Sequence, residues 1–332
     1  MLLDPARFTG HLDGRRVGLT ILRNDDGMSV GISNVGGKIL QVVAPDRYGR
    51  PGDVALGFDS LQEVLTGSPS LGAFVAPYAG RIAQARFTLD ARRYDLPNDD
   101  GPHSLHGGPG GSCLRVFDIV EHDPRSLVLR AILPAEQTGY PGTLALELCY
   151  RLVGPDCLAI DYLATCDGPP TPASFTSHAY FNLDRADART IDEHWLQVFA
   201  DEHLTIGADQ TVDGTRAPVG QGAPDLRRPR SLATLAGLDH VYVLRPDPTG
   251  GARPCARLGC ERSGRILETI SSEPVLVVYG GEHLSAPHRP RQGICLEPQR
   301  FPNAPNCPAL PLNLVSAEHP YRGTIRYRFT AA

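Results

Sequence analysis

Lysine is almost absent from this chain of 332 residues, and Lys38 is the only one. A Schiff base forms on a lysine amine, so catalysis of that kind is excluded everywhere except at position 38. Positive charge is not in excess either, since the formal net charge is −5. This balance gives no support to a nucleic acid or a membrane surface as a partner, and we expect neither.

Long hydrophobic runs are also missing, although hydrophobic residues make up 41% of the chain, enough for a sizeable core. No run approaches the roughly 18 apolar residues of a membrane-spanning helix. Residues 1–7 lack a charged segment followed by an apolar one, which is the pattern of a secretory signal. We therefore expect a soluble, cytoplasmic protein.

The familiar metal and cofactor motifs are absent as well. The eight cysteines form no C-x-x-C pair, and the 11 histidines form no H-x-x-x-H or H-E-x-x-H pattern. The glycine-rich residues 107–111 lack the G-x-G-x-x-G spacing of a dinucleotide site. We expect no metal and no cofactor. Cys149 and Cys157 flank a predicted hairpin and could pair in an oxidising compartment, but we expect reduced thiols.

Glycine (35 residues) and proline (30 residues) are spread along the chain, which is typical of many turns. Between them, apolar and polar residues alternate with the period of a strand, and turn residues join such runs into hairpins. The predicted hairpins pair 144–152 with 158–162, 117–121 with 127–133, and 256–260 with 265–270. Helical periodicity is scarce and is limited to 61–65 and 231–235.

Many strands, short turns and few helices predict an all-β fold, a large antiparallel sandwich or barrel with few short helices. We expect residues 1–332 to form one domain, since all-β domains often exceed about 200 residues. Residues 201–230 are irregular and rich in Gly, Pro and Asp, which predicts a long ordered loop over one end of the sheet.

Three segments carry residues suited to acid–base chemistry. His178 lies in 177–183, an apolar and aromatic run that predicts a strand and a turn, and imidazole titrates near neutrality. His106 precedes two glycines that would let a ligand approach the backbone. Glu297 ends an apolar strand, where burial raises the pKa of a carboxyl group towards that of a useful base. Each also has a structural interpretation: a core histidine, a glycine turn, or a glutamate facing water.

Two further residues could hold a polar ligand. Asp239 precedes an apolar strand, where a carboxylate could bind hydroxyl groups or simply end a loop. Arg81 could donate to a hydroxyl or an oxyanion, although an exposed loop arginine is the commoner case.

Taken in chain order, these segments resemble the aldose 1-epimerase (galactose mutarotase) family. No single motif is very specific, but the collinear matches cover nearly the whole chain. The matching motifs are FTG at 8–10, DGM at 26–28, NVGGKI at 34–39, PDRYG at 45–49, DVALGF at 53–58, GRI at 80–82, LHGG at 105–108, GYPG at 139–142, SHAYFNL at 177–183, LDH at 238–240 and LEPQRFPNAPN at 296–306.

The resemblance implies a galactose mutarotase-like supersandwich with the sugar site in a cleft on its concave side. It implies that Glu297 is the general base that removes the proton of the anomeric hydroxyl, and that His178 is the general acid that protonates the ring oxygen. His106 would hydrogen-bond near the ring oxygen, and Arg81 and Asp239 would hold sugar hydroxyls. Charge attraction would favour an ionised Glu297 beside a protonated His178.

The chain departs from the family pattern at several positions. Gly80 stands where the family often has Asn, Phe117 where Trp is usual, and Val277 where many members have a Gln that touches the sugar. Ser177 and Ala179 replace the more usual Asn and Ser on either side of the histidine. We expect these changes to affect which sugar is bound more than the chemistry.

The expected function is cofactor-independent interconversion of the α and β anomers of a free aldose, a small-molecule sugar, by a monomer or homodimer. Two alternatives stay open. One is a specialised isomerase or lyase acting on a non-standard cyclic sugar-like substrate, and the other is a non-catalytic carbohydrate-binding protein on the same fold. A phosphorylated sugar would want clustered arginines, which 227–228 and 289–291 could supply.

Overall fold

The computed structural model describes residues 2–185 and 190–332. Helices are short within these residues. The α-helices are α1 (Leu61–Thr66) and α2 (Ala135–Thr138), and 3₁₀ turns cover Pro5–Phe8, Ala83–Ala85, Leu232–Thr234 and Ala304–Asn306. The Ser60 side chain caps α1 by accepting a hydrogen bond from the Glu63 N–H. The two predicted helical segments are thus confirmed, one as α1 and the other as a 3₁₀ turn.

Short strands dominate the structure. In chain order they begin with β1 (Gly10–Leu12), β2 (Arg15–Val17), β3 (Leu19–Arg23), β4 (Ser29–Ser33), β5 (Lys38–Pro45), β6 (Pro51–Asp53), β7 (Phe74–Val75), β8 (Arg81–Ile82), β9 (Arg86–Leu89), β10 (Arg92–Asp95), β11 (Ser104–Leu105), β12 (Asp118–His122), β13 (Ser126–Leu133), β14 (Thr143–Val153) and β15 (Cys157–Asp167). They continue with β16 (Thr171–Pro172), β17 (Thr176–Ser177), β18 (Tyr180–Phe181), β19 (His194–Val198), β20 (Ala200–Ile206), β21 (Val212–Pro218), β22 (Arg230–Ser231), β23 (Asp239–Leu244), β24 (Arg253–Cys260), β25 (Arg265–Ser271), β26 (Val275–Tyr279), β27 (Ile294–Gln299), β28 (Leu314–Val315) and β29 (Tyr321–Ala331).

These strands pair antiparallel throughout the described residues and form two large sheets. A nine-stranded sheet has the order β12-β13-β14-β15-β29-β25-β24-β19-β22, and a six-stranded sheet has the order β18-β27-β26-β23-β20-β21. A four-stranded sheet, β3-β4-β5-β6, and several two-stranded pairs lie around them. The three predicted hairpins are confirmed as β14-β15, β12-β13 and β24-β25.

Alternation along the strands places one face of each large sheet in a shared core. Leu144, Leu146 and Leu148 of the nine-stranded sheet lie in the same apolar cluster as Leu276 and Leu296 of the six-stranded sheet. Because successive side chains point to opposite faces, the residues between them face away from that core. The predicted antiparallel β-sandwich is confirmed, and the outer face of the six-stranded sheet is available to line a site.

The expectation of a long loop over residues 201–230 is wrong. Ala200–Ile206 and Val212–Pro218 form an antiparallel hairpin, β20-β21, at the edge of the six-stranded sheet. The register shifts between Leu204 and Ile206, and much of the edge strand β21 is exposed, so neither strand shows a clean alternation. Sequence periodicity therefore missed a strand pair that contains a bulge.

All eight cysteines are free. Cys149 stands opposite Asp161, and Cys157 stands opposite Val153, so the β14-β15 register does not place the two thiols as cross-strand partners. None of the helices in the described residues has the length and apolar character needed to cross a membrane.

Candidate active site

An open cleft of about 430 Å³ lies on the outer face of the six-stranded sheet. Five residues singled out from the sequence line it: Glu297, His178, His106, Arg81 and Asp239. They come from five separate segments of the chain. The tertiary structure therefore brings together every predicted site residue.

Three neighbouring strands, β27, β26 and β23, form the floor of this cleft. Their register places Glu297 opposite Val277, Val277 opposite Val241, and Tyr279 opposite Asp239. Residues two apart on one strand share a face, so these side chains all point to the same side of the sheet. Asp239 is the first residue of β23 instead of preceding it, and this position turns its carboxyl group into the cleft.

Glu297 and His178 are the most deeply buried of the five. Nε2 of His178 lies 3.7 Å from Oε1 of Glu297, and the two residues are 5% and 2% exposed, respectively. Two backbone hydrogen bonds fix the histidine: its N–H donates to the Ala73 carbonyl at 2.8 Å, and its carbonyl accepts from the Gly72 N–H at 2.9 Å. The imidazole and the carboxyl group are therefore held side by side by the β-structure.

Burial controls the protonation of this pair. Desolvation raises the pKa of Glu297 well above its usual value, and the Asp239 carboxylate raises it further. Desolvation also lowers the pKa of His178 to about 4. Both shifts favour neutral side chains in the free site, against the expectation of an ionised glutamate beside a protonated histidine, because burial penalises each charge. Whether both side chains are neutral or both are charged, the pair carries one dissociable proton, on the carboxyl group or on the imidazole.

His106 brings a second imidazole to the cleft. Its backbone is left-handed, with φ of 54°, and a Cβ on the following Gly107 would lie 2.5 Å from Pro77. The absence of a side chain at Gly107 therefore makes room for the neighbouring segment at Pro77, whereas we expected it to make room for a ligand. Nδ1 of His106 accepts from the Gly80 N–H at 3.3 Å, and its ring meets that of His178 edge-on, with centroids 5.0 Å apart. Desolvation lowers the pKa of His106, so its ring is neutral, with the proton on Nε2.

Arg81 and Asp239 place opposite charges in the cleft. Nε of Arg81 donates to Oδ2 of Asp100 at 2.5 Å, which holds the guanidinium group at the cleft wall. Desolvation raises the pKa of Asp239, and the positive charge of Arg81 opposes that shift. The arginine and the aspartate are therefore close enough to influence one another electrostatically.

The residues missed from the sequence include four that line or adjoin the cleft near the reacting groups: Asp100, Tyr279, Cys295 and Gln299. Cys295 and Gln299 stand two positions before and after Glu297 on β27, so strand alternation could have placed them on the same face. Tyr279 is the cross-strand partner of Cys295. No sequence periodicity marks Asp100, and its place in the site is recognised from its ion pair with Arg81.

The departures from the family pattern fall in different parts of the molecule. Gly80 and Val277 line the cleft. Phe117 and Ala179 belong to the main apolar core, and Ser177 is buried without lining the cleft. Among these five positions, Gly80 and Val277 are therefore the two that could alter contacts with the sugar.

His178, Cys295 and Glu297 are residue types that bind metals, and one potential ligand atom from each lies within 4.8 Å of the others. The imidazole offers Nδ1 to Cys295 at 3.3 Å and Nε2 to Glu297 at 3.7 Å. A metal ion binds a single ring nitrogen of a histidine, and here the thiol and the carboxyl group lie at different nitrogens. This arrangement fits an imidazole with a different partner at each nitrogen better than a metal centre.

Lys38 does not line the cleft, so its position gives no support to Schiff-base chemistry. Its buried Nζ donates to the carbonyl groups of Pro69 and Leu71. Desolvation lowers the pKa of Lys38 to about 8. Because Ser68, Ser70 and Leu71 line the cleft, the lysine supports one wall of the site from behind.

The fold and the cleft define a class of protein: antiparallel β-sandwiches that hold a buried glutamate–histidine pair in an open cleft on one sheet. The chain belongs to the aldose 1-epimerase family, whose model matches residues 19–328. It is 34% identical to the galactose mutarotase of Mus musculus over 94% of this chain and 93% of that protein. It is 30% identical to the aldose 1-epimerase of Escherichia coli (strain K12) over 90% of each chain. The solved structure of an aldose epimerase homologue from C. elegans superposes with a TM-score of 0.89 at 27% identity, covering 95% of this chain and 99% of that one.

Proposed function

We propose that this protein is an isomerase that interconverts the α and β anomers of a free aldose by acid–base ring opening and closure. Its relatives are galactose mutarotases and aldose 1-epimerases over almost their full lengths. The observation that carries the proposal is the buried pair of Glu297 and His178, 3.7 Å apart in an open cleft. Two adjacent proton-transfer groups are what the reaction needs, because one proton leaves the anomeric hydroxyl as another reaches the ring oxygen.

Glu297 is the general base and His178 the general acid in this mechanism. The carboxylate removes the proton of the anomeric hydroxyl, and the imidazolium protonates the ring oxygen as the C1–O5 bond breaks. The C1–C2 bond of the open aldehyde rotates, and closure on the other face of the carbonyl returns both protons. His106 donates near the ring oxygen, and Arg81 and Asp239 hold hydroxyl groups.

The neutral state of the free pair is compatible with this mechanism. One proton is shared between Glu297 and His178, and its transfer from the carboxyl group to Nε2 produces the reactive carboxylate and imidazolium. Sugar hydroxyls that donate to the carboxylate would stabilise that charged arrangement on binding. No proton has to enter or leave the site before the reaction.

The alternatives receive less support. A non-catalytic sugar-binding protein has no need of two coupled proton-transfer groups at the most buried point of its cleft. For a phosphorylated sugar, the candidate arginines are elsewhere: Arg227 pairs with Asp225, and Arg291 pairs with Asp192 and Glu282. Arg81 is the arginine that lines the cleft among the described residues.

Glu297→Gln tests the proposal. The amide keeps the shape of the side chain but cannot accept the proton, so we expect the rate of anomer interconversion to fall by about 10²–10⁴-fold. Glu147→Gln, on an outer position of the nine-stranded sheet, is the matched control and should be as active as the wild type. Polarimetry or exchange NMR measures the rate, and an unimpaired Glu297→Gln enzyme would refute the assigned role.

We further propose that the enzyme acts in the cytoplasm as a monomer or homodimer, on a small-molecule sugar, without a nucleic acid or membrane partner. The net charge of −5 is the support for excluding polyanionic partners. We also propose that the reaction needs no metal or cofactor, since the glutamate–histidine pair can supply both proton transfers. Full activity after dialysis against EDTA, and a mass from size-exclusion chromatography with light scattering, would test these points.

A further inference from the structure

The floor of the cleft beside Glu297 is apolar. Val277 is the cross-strand partner of Glu297, and Val241 is the next partner in the same row. Ile206 and Val212, from the β20-β21 hairpin, extend this surface and also line the cleft. Neighbouring strands lie about 5 Å apart, so the distance from the Glu297 carboxyl group to the nearest valine, Val277, is about the width of one sugar ring.

This surface, the valine wall, is defined by Val277, Val241, Ile206 and Val212. Its residues belong to or pack against an apolar cluster that also includes Leu204, Val275 and Phe301. The wall therefore presents methyl groups to the cleft and continues into an apolar cluster beside it.

Uncharged polar side chains adjoin the wall at its ends, since the cleft lining also includes Gln299, Gln210 and Thr211. Asp239 stands in the neighbouring row of the floor with Tyr279, while Arg81, Asp100 and His106 enter from β8 and from the chain around β11. A ring whose anomeric hydroxyl contacts the carboxyl group therefore has one edge towards hydrogen-bonding groups and another towards methyl groups. A hydroxyl against the methyl groups would lose water without gaining a partner, whereas a CH₂ or CH₃ group would be buried favourably.

We propose, on the basis of the proposed function, that the enzyme prefers a deoxyaldose, a sugar in which the hydroxyl facing the valine wall is replaced by hydrogen. The wall makes Val277 and Val241 residues that determine specificity and take no part in proton transfer. Since a hydrophobic pocket discriminates against an added hydroxyl by up to about 10²-fold, we expect kcat/KM for the preferred deoxy sugar to exceed that for its parent by about 10- to 100-fold.

A panel of matched sugars tests this preference. D-Galactose and D-glucose are compared with their 2-deoxy, 3-deoxy and 6-deoxy derivatives, and each catalysed rate is divided by the spontaneous rate of that sugar. At least one deoxy sugar should exceed its parent, and the position of the missing hydroxyl identifies the carbon that faces the wall. The inference is overturned if both parents are converted at least as efficiently as all their deoxy derivatives.

Val277→Gln supplies the complementary test, because its amide could pair with a hydroxyl at the wall. The preference for the deoxy sugar should shrink by about tenfold or reverse. Val277→Thr, a smaller change, should shift the preference in the same direction if the glutamine variant folds poorly. Val243→Gln, on the same face of β23 but outside the cleft, is the control and should leave the preference unchanged. A wild-type enzyme that accelerates no sugar would instead refute the proposed function.

Discussion

Sγ of Cys295 lies 3.3 Å from Nδ1 of His178, while Glu297 approaches Nε2 of the same ring. Desolvation raises the pKa of Cys295 well above its usual value, so the sulfur stays a neutral thiol, which can accept a hydrogen bond. A neutral imidazole that donates from Nδ1 to this sulfur leaves Nε2 free to accept the carboxyl proton of Glu297. As an acceptor at Nδ1, Cys295 favours the histidine tautomer whose unprotonated Nε2 faces the carboxyl group.

Cys295→Ala is expected to reduce kcat and change KM little, since it removes the orienting hydrogen bond without touching the sugar. The loss of one neutral hydrogen bond corresponds to about 1 kcal/mol, or roughly fivefold in rate. Polarimetry gives the rate constants, and ¹⁵N NMR gives the tautomer of His178. Cys295→Ser retains an acceptor and should preserve the tautomer. If Cys295→Ala keeps both the tautomer and the rate, the thiol has only a packing role.

The pH dependence of kcat/KM should be bell-shaped. Burial lowers the pKa of His178 to about 4, so activity falls as the pH drops through that value and the pair gains a second proton. Burial raises the pKa of Glu297, so activity falls on the alkaline side when the pair loses its only proton. Rates measured across the pH range test both limbs. An acidic limb centred at the usual imidazole value of 6.5 would contradict the first assignment.

Asp100→Asn is expected to weaken sugar binding without slowing the chemistry. Asp100 holds Nε of Arg81 at 2.5 Å, and both side chains are partly exposed, so the contribution of the pair is small. We expect KM to rise by about two- to fivefold at constant kcat. Asp95→Asn, which removes the partner of Arg93 in an exposed pair outside the cleft, serves as the control. A fall in kcat with unchanged KM would place Asp100 in the reaction instead.

Lys38→Met is expected to destabilise the protein. The carbonyl groups of Pro69 and Leu71 lose their buried donor, which costs about 1–3 kcal/mol in the free energy of unfolding. Urea denaturation measures this difference. Because residues 68–71 form part of the cleft wall, KM should rise as well. Unchanged stability and KM would show that the lysine does not support that wall.

The difference in the free energy of unfolding between the wild type and Lys38→Met should depend on pH. The pKa of Lys38 is about 8 in the folded chain and 10.5 when unperturbed, so between these values the unfolded state binds more protons. The stability of the wild type relative to Lys38→Met should therefore rise with pH across that interval. Comparing the two proteins cancels the titration of the cysteines and tyrosines they share. A relative stability that falls with pH would contradict the burial of a neutral amine.

Local patterns predicted much of the fold and the members of the site. The alternation of Leu144, Leu146 and Leu148 reads directly as a half-buried strand, since strand side chains repeat with a period of two. The same period fails at the bulge between Leu204 and Ile206, where two strands were mistaken for a loop. A bulge shifts residues from one face of the sheet to the other, and local sequence patterns do not predict where it occurs.

Local sequence patterns could not predict the protonation of the site residues or which departures affect sugar specificity. Charge attraction suggested an ionised Glu297, but the pKa depends on how completely the surrounding sheets exclude water. No local pattern separates the departures at Phe117 and Val277, although the family resemblance links Val277 to the sugar. Only the packing shows that Phe117 fills the core and that Val277 adjoins the reacting groups.

The sequence by itself determined the strand pattern, the family and which residues are candidates for the chemistry, because these depend on residue type and order. The tertiary structure decided which candidates meet, which nitrogen of His178 faces Glu297, and where the valine wall stands. Distances, burial and cross-strand register arise only when strands distant in sequence pair and pack. That is why Cys295 and Val241, unremarkable in the sequence, become neighbours of the reacting groups in the folded chain.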